Sequence, residues 1–252
     1  MQHYFRLPNG KRMHYEIRGI PDSSAPPILF LNGLSQSTLA WHPLLAAGLE
    51  KHATCLLVDL LFQGKSDEDE KFRSFEAHAT DVYALLQHLG IQRVVLVGIS
   101  YGGAVGQRLM QQYPEVIAQA FLLATFGEKN PFFNFIGAAW KQALLQGGYP
   151  LLFDVMLPWV LGKTFLTRES EKIALLRSDK SAMSPSPQRL LLLMEATAKS
   201  SESFYAHLQD CPVPTQVIHG EEDLLCTPEM GSGLRRLCPK GNLPACRASD
   251  TV

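Results

Sequence analysis

Short, mostly apolar runs punctuate the chain at Pro27–Leu31, Ala53–Asp59, Arg93–Gly98, Phe121–Ala124 and Thr215–His219. Strands of a parallel sheet covered by helices read this way, because successive side chains point to opposite faces and both faces are buried. Helical spacing fills the gaps: Ser74–Leu89 sets Phe75, Val82, Leu85 and Leu86 on one stripe, and Gly90 stops it. Near the start, Met13–Arg18 alternates in character and follows Asn9-Gly10, a tight-turn signal that predicts a hairpin. Strand and helix in alternation imply an α/β fold with a doubly wound, mostly parallel sheet. Between Phe126 and Asp210 the alternation stops and the apolar residues, among them Phe132, Phe133, Trp140, Phe153 and Trp159, take helical spacing. The expected organisation is a core of residues 1–125 and 211–252 with a helical cap, 126–210, inserted over one edge of the sheet.

Composition narrows the function classes. The chain has 252 residues, 46% of them hydrophobic, which suffices for a packed core and excludes a disordered protein. With 23 Lys+Arg against 24 Asp+Glu there is no basic excess of the kind nucleic-acid binding needs. No run of eighteen apolar residues predicts a membrane span, and Met1–Arg6 does not read as a signal peptide. Five cysteines (Cys55, Cys211, Cys226, Cys238, Cys246), an odd number without a C-x-x-C pair, suit reduced thiols and a cytoplasmic location. Histidines and cysteines do not cluster at ligand spacing, so neither a metal nor another cofactor is expected. The acidic run Asp67–Glu70 reads as a solvated loop.

The sharpest chemical signal is Gly98-Ile99-Ser100-Tyr101-Gly102-Gly103, which follows the run Val94–Val97 and opens a helical stretch at Ala104. That strand–turn–helix setting is what a nucleophile elbow requires: glycines let the backbones crowd while the strained turn presents the serine hydroxyl. Here the chain resembles the α/β-hydrolase superfamily, over nearly its whole length. Leu31-Asn32-Gly33-Leu34 matches that family's oxyanion loop, with Asn32 where histidine is usual. The resemblance implies an oxyanion hole made by the backbone N–H groups of Leu34 and Tyr101. Asp59-Leu60-Leu61-Phe62-Gln63-Gly64-Lys65-Ser66 matches the family's next loop. Together with Asn32-Gly33 it is similar to the branch that condenses hydroxyacyl chains into rhamnolipid precursors.

The resemblance places the catalytic acid at Asp223, in Gly220-Glu221-Glu222-Asp223, with Glu221 and Glu222 as neighbouring alternatives. A serine hydroxyl is a weak nucleophile until a base takes its proton. The family's histidine follows the acid, yet the histidines here stand at 3, 14, 42, 52, 78, 88, 207 and 219. His42, His207 and His219 read as structural. Read from the third base of each codon, Pro244–Val252 can encode Gly-Val-Pro-Gly-Val-Gly-His-Gly, with the histidine across Asp250 and Thr251. The expectation is a reading frame that shifts near Asn242, leaving an impaired triad.

Three functions are therefore carried forward. The first is a serine hydrolase of carboxylic esters, thioesters or lactones, working through an acyl-enzyme on Ser100 with an apolar acyl substrate. The second is an acyltransferase condensing hydroxyacyl chains. The third is a catalytically inactive hydrolase fold that binds a small ligand. Oligomeric state is not legible in the sequence.

Overall fold

The computed structural model describes residues 3–20, 24–129, 131–179, 185–200, 208 and 211–237. Seven strands form one sheet: β1 (His3–Arg6), β2 (Arg12–Gly19), β3 (Ile28–Leu31), β4 (Thr54–Val58), β5 (Val94–Ile99), β6 (Ile117–Leu123) and β7 (Thr215–Ile218). Their order is β1-β2-β4-β3-β5-β6-β7. β1–β2 and β2–β4 pair antiparallel, and every other pair is parallel. The sheet is thus mostly parallel and flanked by helices, as the double-sided apolar runs predict.

Those runs divide residue by residue between two cores. Leu29 and Leu31 of β3, with Leu56 and Val58 of β4, join the larger cluster. Phe30, Cys55 and Leu57 face the other way and pack with Trp41 and Leu45. Leu45 comes from α1 (His42–Ala46). The larger cluster takes α2 (Phe75–His88), whose Phe75, Val82, Leu85 and Leu86 are all fully buried. Each such side chain stabilises by about 1.5–3 kcal/mol. Ser74 caps α2 by accepting the Ala77 N–H at 3.2 Å. Beside it lies α3 (Tyr101–Gln112), which begins directly after β5.

The hairpin is where expected, but β2 does not alternate. Met13, His14, Tyr15 and Glu16 are all buried. The strand is interior to the sheet, and its two polar residues are accommodated by partners: His14 Nδ1 lies 2.8 Å from Asp59 Oδ2, and Glu16 accepts the Thr38 hydroxyl at 2.9 Å. Burying a polar group without such partners is costly. The acidic run is also more engaged than a solvated loop, since Asp67 takes the Arg12 guanidinium at 3.0 Å and Glu68 takes Arg189 at 3.1 Å.

Between β6 and β7 the chain makes α4 (Pro131–Val160), α5 (Lys163–Arg168), α6 (Ser170–Ser178) and α7 (Pro187–Lys199). α4 kinks at Gly148, φ +64°, just before Pro150. After β7 comes α8 (Pro228–Leu237). No helix of the described residues is long and apolar enough to cross a membrane. Cys55, Cys211 and Cys226 are free thiols. Cys238, Cys246, His207 and the tail with Asp250 and Thr251 lie outside the described residues.

Candidate active site

Ser100 sits at the carboxyl end of central strand β5 with φ +50° and ψ −113°. A non-glycine residue rarely adopts positive φ, and holding one there costs about 1–3 kcal/mol. The surroundings enforce it. The Ser100 N–H donates to the Leu123 carbonyl at 2.9 Å, and its own carbonyl accepts the Ala104 N–H at 3.0 Å and the Thr125 hydroxyl at 2.8 Å. The glycines of the motif are needed for space: a Cβ on Gly98 would come 2.7 Å from the Gly102 carbonyl oxygen, and one on Gly102 2.3 Å from that of Leu31. The turn therefore presses strand β5, helix α3 and the Leu31 loop together around Ser100.

Leu34, Ser100 and Tyr101 line one cavity of about 860 Å³. Phe133 and Trp140 of α4 and Leu225 of the loop after β7 close it. Its volume lies in the range of small-molecule sites. As the first residue of α3, Tyr101 has a backbone N–H with no acceptor inside the helix. Helix N-termini favour developing negative charge.

The Asn32–Leu34 loop rests on a buried polar assembly. Asn32 donates to the Val58 carbonyl at 2.9 Å and accepts the Trp41 indole N–H at 2.8 Å. The Asp59 carboxylate accepts Thr38 N–H at 2.8 Å and Lys65 N–H at 3.1 Å, beside His14. Ser66 donates to the Asp59 carbonyl and accepts His14 N–H. The two sequence motifs thus form one scaffold behind the site, and Asn32 serves it structurally.

Asp223 does not line the cavity; its loop reaches it through Leu225. One carboxylate oxygen accepts the Leu225 and Cys226 N–H groups at 3.0 and 2.8 Å. Burial pushes this carboxyl above its usual 3.8, against the pull of those two donors. Its neighbours differ. Glu222 is taken up by Thr164 at the start of α5, accepting the hydroxyl at 2.6 Å and the N–H at 2.8 Å. Glu221 is exposed. The Leu225 N–H is shared with the Trp159 carbonyl at 3.1 Å, so the end of α4 bears on the same loop.

None of the described histidines lines the cavity. His219, just past β7, approaches the Cys226 carbonyl at 2.7 Å through Nδ1, and its ring packs against Gly231 of α8. His42 pairs with Glu16 at 3.1 Å. His78 is fully buried edge-on to Phe62 and Tyr101, and burial lowers its pKa to about 3. Among the described residues, no group of three His, Cys, Asp or Glu could hold a metal ion.

Sequence reasoning did not single out Thr125 or Lys129. Buried Lys129 lines the cavity and donates to the carbonyls of Thr197, Ala198 and Ser200, at the carboxyl end of α7. Lys129 stands between Glu128 and Asn130, so no local pattern marks it as buried.

Comparison with known proteins agrees with this fold. A family model described as alpha/beta hydrolase fold matches residues 26–245. The uncharacterized protein Rv2715 of Mycobacterium tuberculosis is 30% identical over 157 residues, 62% of this chain and 43% of that one, so the chain spans less than half of that relative's length. A Stutzerimonas stutzeri protein provisionally named carbamate hydrolase RutD is 26% identical over 214 residues, 84% of this chain and 80% of that one. Among solved structures, the enol-lactonase from Burkholderia xenovorans LB400 superimposes with a TM-score of 0.82 at 25% identity, covering 97% of this chain and 90% of that one.

Proposed function

Because the chain belongs to the alpha/beta hydrolase fold family, we propose that it is a serine hydrolase of carboxylic esters, thioesters or lactones, with Ser100 as nucleophile. The observation that carries this reading is the strained Ser100 backbone, φ +50°, facing the cavity at the start of α3. In this mechanism Ser100 Oγ attacks the acyl carbonyl as it gives up its proton, which passes to the departing alcohol or thiol, and the carbonyl oxygen takes up the negative charge. The N–H groups of Leu34 and Tyr101 receive that oxyanion, usually the largest electrostatic contribution to acyl transfer. The alcohol or thiol leaves, and water then releases the acid from the acyl-enzyme. Asp223 would orient and stabilise a protonated base. The apolar wall contributed by Phe133 and Trp140 supports an apolar acyl group, and supports reading residues 126–210 as a cap on the core of 1–125 and 211–252. A soluble, cytoplasmic enzyme fits the composition.

One observation favours a second reading, a ligand-binding protein of the same fold: no described histidine reaches the cavity. Without a base most of the rate enhancement is lost, while the oxyanion hole and binding retain a residue of it. Incubation with a fluorophosphonate probe followed by peptide mass analysis decides between them. Labelling at Ser100, abolished in Ser100→Ala, supports the hydrolase. An unlabelled Ser100 in protein that still binds apolar acyl ligands supports the second reading. Product analysis with and without a hydroxyacyl acceptor separates hydrolysis from acyl transfer.

A further inference from the structure

Gln63 is 2% exposed, an unusual place for a glutamine in a loop. Its neighbours are bent to put it there: Phe62 has φ +74° and Gly64 φ +44°. Backbone strain of this kind in a non-glycine residue persists only where the surroundings enforce it, and it gathers at functional sites. Both ends of the inward amide are engaged, in three hydrogen bonds. Oε1 accepts Leu60 N–H at 3.2 Å and Asn32 Nδ2 at 3.3 Å, while Nε2 donates to the Gly33 carbonyl at 2.9 Å.

That last contact bears on the neighbouring residue. The Gly33 carbonyl and the Leu34 N–H belong to one peptide unit, which is planar and trans. Holding the carbonyl toward Gln63 turns the Leu34 N–H to the opposite side, and Leu34 lines the cavity with Ser100. Two other contacts hold Gly33: its N–H donates to Gln36 Oε1 at 2.8 Å, and its carbonyl accepts Gln36 N–H at 3.2 Å. Both are made within the same turn and move with it. Gln63 ties the turn to a different element, the loop after β4.

We infer that Gln63 is a positioning residue of the oxyanion site, its side-chain amide fixing the direction in which the Leu34 N–H points. What that N–H does rests on the serine-hydrolase reading; the contact itself does not. Two variants test it. Gln63→Met removes both functions of the amide. Gln63→Glu keeps an acceptor for Leu60 and Asn32 and lacks the donor to Gly33.

The first readout needs no turnover: the Leu34 amide in nitrogen-15 relaxation spectra. Its order parameter is expected to fall from the rigid range near about 0.85 to below about 0.6 in both variants, with Tyr101 unchanged. The second is the rate of Ser100 labelling by a fluorophosphonate, expected to drop about ten- to a hundredfold, as misplaced oxyanion donors do. Affinity for hexanamide, an unreactive stand-in for a hexanoyl ester, should change by less than twofold, a split that general loosening of the fold would not give. A Leu34 amide that stays rigid in a folded variant overturns the inference, as does an unchanged labelling rate. If the unsubstituted protein takes no label, the hydrolase reading fails and the amide measurement still decides the role of Gln63. If Gln63→Met does not fold, Gln63→Glu carries the test.

Discussion

Alanine at position 64 should destabilise the protein far more than alanine at position 90, although both glycines have positive φ, +44° and +68°. Placing an L-residue in that region costs about 1–2 kcal/mol wherever it occurs. At Gly90 nothing lies within 4 Å of the added Cβ, so Gly90→Ala should lose about 1–2 kcal/mol, the conformational penalty alone. At Gly64 the Cβ would stand 2.2 Å from Asp59 Oδ2 and 2.4 Å from Cγ. The carboxylate must move, and it is 1% exposed while holding Thr38 N–H, Lys65 N–H, Asn32 and His14. Hydrogen bonds to a charged group are worth about 1.5–3 kcal/mol each, so disturbing two of them makes Gly64→Ala lose at least about 3 kcal/mol. For a chain of this size that lowers Tm by about 6–12 °C, at roughly 2–4 °C per kcal/mol. Urea melts of both variants, compared at unchanged m-value, measure the difference. Losses equal within about 0.5 kcal/mol would refute the account of Asp59 as a tightly filled buried anchor.

Three further outcomes are expected. His78 has no partner for either ring nitrogen among the described residues, and its folded pKa of about 3 lies below the usual 6.5. The unfolded chain therefore binds the proton first, and stability should fall by up to about 1.4 kcal/mol per pH unit between about 6.5 and 3. His78→Phe should flatten that slope in Tm-versus-pH curves; an unchanged slope would show that His78 is not its source. Burial raises the Asp223 carboxyl, so its ionisation opposes folding above the usual 3.8. Asp223→Asn, still able to accept the Leu225 and Cys226 N–H groups, should then keep or raise Tm at pH 7 while slowing Ser100 labelling, and a clear drop in Tm would contradict this. Glu222 is held below the usual 4.5 by Thr164, so its contribution is present above that value and fades as pH falls through the lowered one. Hydrogen exchange at α5 should accelerate there and, in Glu222→Gln, lose its pH dependence; exchange insensitive to both changes would sink the idea.

The sheet was legible in the chain because burial on both faces forces an unbroken apolar run, and Leu29, Phe30 and Leu31 show each successive residue finding a core. The elbow was legible for a different reason: Gly98 and Gly102 leave no room for a Cβ, so the motif is dictated locally. The assembly behind the Asn32–Leu34 loop was not. His14 meets Asp59 across 45 positions and Asn32 meets Gln63 across 31, partnerships that no local period records. The β2 pattern misled for the same reason, since Glu16 looks solvent-facing until Thr38 and His42 are in place. The family resemblance pointed to Ser100, Asp223, Leu34 and Tyr101, and three of these share a cavity wall. What orients them had to come from three-dimensional contacts.

The place of β7 at the edge of the sheet has a consequence for how the molecule is made. β5 and β6 are separated only by α3 and a short 3-10 turn, whereas β6 ends at Leu123 and β7 begins only at Thr215. Closing the longer loop costs about 1.5 kcal/mol more by simple chain statistics. In a growing polypeptide Ser100 and α3 emerge before the loop that carries Asp223 and Leu225 has been synthesised. In pulsed hydrogen exchange during refolding, amides of β5 should gain protection before those of β7, so that Ser100 stands on its strained turn before the loop carrying Leu225 packs beside it.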